Sequence, residues 1–116
     1  MEAVELFNRR EFFACHDLLE EVWGETLGED REFYQGLIHA AVSLHHFEGG
    51  NLGGARKMAE STLRYLLPYV TRDMSIDLER FLTDYGECFR ELLAAEGSYP
   101  TGLTLDESLL PKLQIT

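Results

Sequence analysis

Apolar side chains recur along this chain at intervals of three and four residues, the spacing that places them on one face of an α-helix. Phe12, Phe13, Cys15, Leu19, Val22 and Trp23 keep that interval and predict a helix from about Arg9 to Glu25. A short helix over Ala3–Phe7 precedes it, and Asn8 is of a type that caps the longer one. Gly24, Gly28 and Glu29-Asp30 mark the next turn. Tyr34, Leu37, Ile38, Ala41, Leu44 and His45 define the inner face of a second long helix, from about Asp30 to Phe47. Gly49-Gly50 ends it, because glycine adopts the left-handed conformation past a helix C-terminus most easily.

Asn51 then caps a third helix with the stripe Leu52, Ala55, Ala59, Leu63, Leu66. Pro68 stops or kinks it, since proline clashes with a continuing helix and disfavours helical angles at Leu67. Ser75 is the expected cap of a fourth helix, Ile76 to about Ala95, which turns Leu78, Phe81, Leu82, Tyr85, Phe89 and Leu92 inward before Gly97. Leu103, Leu105, Leu109, Leu110, Leu113 and Ile115 follow among Pro100, Gly102 and Pro111, so the tail must dock on its own bundle or on a neighbour's. The expectation is an all-α fold: a compact antiparallel bundle of about four main helices with an apolar, mostly irregular C-terminal tail docked on it. Residues 1–116 read as one helical domain, with the tail at about 98–116.

Composition supports that picture and narrows the partners. Apolar residues make up 45% of the 116 positions, enough for a core and too many for a disordered chain. No apolar run approaches the roughly 18 residues of a membrane span, and Met1-Glu2-Ala3-Val4-Glu5 lacks the basic start of a signal peptide. A cytoplasmic protein with no membrane partner is expected. Cys15 and Cys88 are far apart in apolar helical settings, which argues against a disulfide framework. With 21 acidic and 10 basic residues the formal charge is −11, a surface that repels phosphate backbones, so no nucleic acid is expected.

Against that background the chemistry concentrates in the first two long helices. His16 and Glu20 lie one helical turn apart, His16 within the apolar stripe and Glu20 at its edge beside Phe13. A carboxylate placed there is partly desolvated, and an imidazole is its natural companion. The pair reads structurally as a polar cluster that fixes helix packing, or chemically as metal ligands or a base with its orienting partner. Tyr34 and His45 share the inner face of the second helix, while Gln35, His39 and His46 line its flank, where His39 and His46 read as solvated. If the two helices pack antiparallel, His16, Glu20 and His45 form a candidate divalent-metal set, with Tyr34 and Gln35 beside it. A second anomaly is the run Gly49-Gly50-Asn51-Leu52-Gly53-Gly54-Ala55-Arg56-Lys57. Glycines in a first turn point to close backbone approach by another helix, or to an anion site built from Asn51, Gly53, Gly54 and Arg56.

Several of these motifs also carry a likeness. Phe7-Asn8, Phe12-Phe13 and His16-Asp17-Leu18-Leu19-Glu20-Glu21-Val22-Trp23 resemble the opening of domain of unknown function family 309, a group of small prokaryotic and plastid-related helical proteins. Phe33-Tyr34-Gln35-Gly36-Leu37-Ile38 and Gly50-Asn51-Leu52-Gly53-Gly54-Ala55 are similar to its second and third signatures, and Ile76-Asp77-Leu78 to a later short element. The resemblance covers roughly Leu6 to Leu93 and implies a multihelical fold with no activity attached. At the position of His39 the family commonly has Gln.

Three functional readings follow. The first is a binding or protein-interaction module with a His–Glu cluster, which a homodimer through the apolar tail would also suit. The second is a metal-assisted hydrolase in which His16 and His45 are ligands, Glu20 is ligand or general base, and Tyr34 orients the substrate. The third is a binder of small anionic metabolites at Gly53-Gly54.

Overall fold

Helices form where the apolar intervals run, and their ends are set by groups that compete for the same backbone amides and carbonyls. The computed structural model describes residues 2–116. Their order is α1 (Glu2–Asn8), α2 (Phe12–Glu25), α3 (Arg31–Glu48), α4 (Leu52–Leu66), α5 (Leu78–Cys88) and α6 (Arg90–Ala94), with 3₁₀ turns at Leu67–Tyr69 and Glu107–Leu109. The fold is all-α. Among the described residues the one strand-like pairing is an antiparallel bridge between Ile76 and Ile115.

α3 is the central helix, flanked by α2 and α4. Phe13 at the start of α2 meets His45 near the end of α3, whereas Val22 and Tyr34 meet at the other end, so α2 and α3 run antiparallel. α4 is antiparallel to α3 by the same logic, since Gly36 faces Leu66 and Gly54 faces His46. The closest approach is at Gly36, where an added Cβ would lie 2.5 Å from Leu66 Cδ2. The sequence reading placed close backbone contact at Gly53-Gly54 instead. In the structure Gly53 has open space around it, and the position of a Gly54 Cβ is crowded by the Asn51 cap and His46.

α5 and α6 close the core with an aromatic row. Phe7 contacts Phe12 and Phe81 edge-on at 5.3 and 5.6 Å, and Tyr85 stacks on Phe89 at 4.5 Å. The Tyr85 hydroxyl is buried and lies 2.6 Å from Ser43 Oγ, which itself donates to the Ala40 carbonyl. Burial holds the Tyr85 phenol well above its usual pKa.

Two expected caps do other work. Asn8 ends α1, and its side chain grips the tail: Nδ2 donates to the Leu113 carbonyl and Oδ1 accepts from the Leu113 amide, both at 2.8 Å. α2 begins three residues later than Arg9, because Arg10 takes a left-handed φ of 66° that breaks the helical path. Ser75 also sits at positive φ, 63°, and its carbonyl accepts from Thr116. With Ile76 and Asp77 engaged by the tail, the fourth long helix starts at Leu78 under an Asp77 cap and breaks at Phe89. The cap at Asn51 forms as expected, with Oδ1 accepting from the Gly54 amide at 3.0 Å. The tail docks on its own bundle, and Leu113 is buried.

Candidate functional site

α2 buries Phe12, Cys15 and Leu19, with Phe12 against Phe7 and Cys15 Sγ donating to the Ala3 carbonyl of α1. Phe13 is one residue round the helix from Phe12 and is 61% exposed, contrary to its place in the expected inner stripe. At 100° per residue it stands about 130° from the centre of the buried face. His45 is exposed rather than inward for a related reason: it lies level with Phe13, at the margin where α2 begins and the α2–α3 seam opens.

The Phe13 ring stands between two imidazoles, with centroids 5.8 Å from His16 and 5.8 Å from His45. Phe12, Phe13, His16, Val42, His45 and His46 together line an open depression of ≈ 240 Å³ at that seam. Its lining is aromatic and aliphatic, with ring nitrogens at the rim. His46 also lies 3.3 Å from the Asn51 amide nitrogen, which fixes that edge to the α3–α4 turn.

His16 is partly buried and flanked by two carboxylates. Its Nε2 lies 3.0 Å from Glu20 Oε1 and its Nδ1 3.3 Å from Asp17 Oδ1. The Nδ1 atom is enclosed from solvent and lacks a well-aligned hydrogen bond. Glu20 is not desolvated as expected; its side chain is 55% exposed, because it lies on the same outer face as Phe13. Among the described residues, His16, Asp17 and Glu20 bring possible ligand atoms within 4.8 Å of one another, and His45 is outside that group. The acids sit against opposite nitrogens of one ring, so the three donors flank the imidazole instead of converging on a point as a tetrahedral site does.

The other candidates are dispersed. Tyr34 lines a separate depression with Glu2, Ala3, Leu18, Leu19 and Val22. Gln35 lies one turn before His39 on α3, with its Nε2 2.7 Å from His39 Nε2. His39 is half-buried rather than solvated, with its ring edge-on to Tyr65 at 5.3 Å. Desolvation, then the nearby Arg64 guanidinium, lowers its pKa. In the proposed anion cluster the Gly54 amide is already bonded to Asn51, and Arg56 reaches the Ala95 carbonyl and Glu60. Cys15 and Cys88 are free, buried thiols pushed up to about 12 by burial.

The outward turn of Phe13 and the adjacency of Asp17 to His16 were missed in the sequence. The angular position of Phe13 carried the first signal, since Phe12, Cys15 and Leu19 alone complete the inward face. No described helix is long and apolar enough to cross a membrane.

Comparison with known proteins adds relationship without chemistry. The family model described as Domain of unknown function (DUF309) matches residues 1–58, a stretch that contains all six residues of the α2–α3 depression. The chain is 33% identical over 82 residues, 68% of its length, to Uncharacterized protein YpuF of Bacillus subtilis (strain 168). It is 45% identical over 51 residues, 43% of its length, to an uncharacterized protein of Aquifex aeolicus (strain VF5). It spans 47% of the length of the first and 15% of the second. No solved structure matches it significantly.

Proposed function

The chain belongs to the family of domain of unknown function 309, and from that premise we propose that it is a binding module whose working surface is the shelf at the α2–α3 seam. One observation carries the reading. Phe13 is 61% exposed and stands between two imidazoles, inside the segment that the family model matches. An exposed aromatic ring over an apolar depression is the kind of surface that anchors a partner's side chain. The apolar tail that pointed to a homodimer is largely taken up by its own bundle, with Leu113 buried.

A titration of small aromatic and aliphatic probes, read by amide chemical shifts, tests this. Shifts should gather at Phe12, Phe13, His16, Val42 and His45 and vanish in Phe13→Ala. That variant should keep its stability within about 0.5 kcal/mol, as surface substitutions do. Probes that gather elsewhere, or survive the loss of the ring, would overturn the reading.

The metal-assisted hydrolase has one observation in its favour, the His16–Asp17–Glu20 donor group. Elemental analysis of protein purified without chelator separates the two readings. Stoichiometric zinc, iron or manganese that disappears in His16→Ala supports the enzyme, and metal-free protein removes it.

A further inference from the structure

The shelf continues along α2 as a stripe of defined chemistry. Positions three, four and seven residues apart share a helix face, so Phe13 is followed one turn on by Asp17 and two turns on by Glu20. Both acids are exposed, with side chains 62% and 55% accessible. Gly24 follows at the next turn with nothing within 4 Å of where its Cβ would stand, so the track is open there.

The formal charges along this track are all acidic. α2 carries Asp17, Glu20, Glu21 and Glu25 and no lysine or arginine. Among the described residues, no lysine or arginine lies within 4.0 Å of any of these four acids. Elsewhere arginines are engaged, Arg10 with Glu48 and Glu107, Arg56 with Glu60 and Arg72 with Asp30, while Arg31 lies over the ring of Trp23 on α2 itself without reaching an acid of that helix. Asp17 and Glu20, whose close partner is the His16 ring and not a lysine or arginine, set negative charge beside an apolar depression, a combination that steers and orients a positively charged partner.

We infer that the shelf receives a cationic amphipathic helix of a partner protein, with one large apolar side chain seated against Phe13 and lysine or arginine side chains reaching Asp17 and Glu20. The inference rests on the binding reading above and specifies its occupant. An apolar anchor with basic residues at helical spacing matches the α2 stripe turn for turn, as in helix-in-groove recognition. Because the acids are exposed, salt screens their part of the attraction while the anchor's part persists.

Synthetic helical peptides test the occupant. One carries a tryptophan anchor with lysines one and two turns away. A second replaces the lysines by glutamines, a third by glutamates, and a fourth keeps the lysines and lacks the tryptophan. The first should shift the amides of Phe13, His16 and Val42 and weaken as salt is raised. It should lose about tenfold or more in affinity to Phe13→Ala, as interface anchors do, and about tenfold to the double variant Asp17→Lys/Glu20→Lys through reversal of rim charges. Those substitutions are at exposed positions, and circular dichroism checks that the variants are folded. Equal binding of the glutamine and lysine peptides at the shelf sinks the cationic occupant and leaves the binding reading standing. So does a preference for the glutamate peptide. Equal binding of the peptide without tryptophan reduces the effect to general attraction by a chain of charge −11 and also overturns the inference. If no peptide shifts the shelf amides and the small probes fail there too, both readings fall.

Discussion

Gly36 is the residue on which the α3–α4 contact turns. A methyl group there would meet Leu66 Cδ2 at 2.5 Å and Cγ at 2.7 Å, and Leu66 is wholly buried. Gly36→Ala should therefore cost about 1–3 kcal/mol in urea unfolding despite the better helix propensity of alanine. Gly86 in α5 is the control, because nothing lies within 4 Å of its Cβ position. Gly86→Ala should stabilise by about 0.5–1 kcal/mol. Equal effects at the two sites would contradict the close approach of the helices.

His39 gives the residue scale its pH dependence. Burial, and then Arg64, depresses its folded pKa below the ordinary histidine value of 6.5, so the unfolded chain binds this proton more readily than the folded one. The stability contributed by the neutral ring is full above about pH 6.5 and falls as pH drops through the folded pKa. His39→Gln should flatten that part of the stability profile. An identical acid slope in the variant would assign the effect to other groups.

At the scale of elements, segments distant in sequence are tied by side chains that read as local caps. Asn8 makes two 2.8 Å hydrogen bonds to the backbone of Leu113, and Lys112 Nζ donates to the Asn8 carbonyl. Each such bond contributes roughly 0.5–1.5 kcal/mol. Asn8→Ala should thus destabilise by about 1–3 kcal/mol and speed hydrogen exchange at the Leu113 amide, while α3 and α4 stay protected. An unchanged Leu113 amide would mean that the tail holds by its apolar contacts alone. The same clasp explains the shorter helices at both ends. Asn8 is turned toward the tail, and Ile76 and Asp77 face the residues around Ile115, so their backbone groups are withdrawn from helices that local sequence favours.

At the scale of the whole molecule, the radius of gyration is 13.6 Å, close to the value of about 13.4 Å expected of a compact chain this long. The irregular tail is therefore folded in with the helices. The molecule then presents its net charge of −11 outward, and most arginines are committed to local pairs. The α2 face with Phe13 sets exposed apolar surface beside Asp17 and Glu20, acids that no lysine or arginine engages, which is why the functional proposals gather there.

The helices, their order and most of their inward faces were determined by the sequence alone, because burial follows a 3.6-residue period that any reader of the apolar positions can recover. The cap at Asn51 and the stop at Pro68 were equally legible, being local backbone chemistry. The tertiary structure alone decided that His45 looks outward, that Tyr34 and His16 belong to different depressions, that Gly36 is the contact glycine, and that Asn8 holds Leu113. Each of these depends on where a second helix or a remote strand of chain lies. Periodicity within one segment carries no information about that distance.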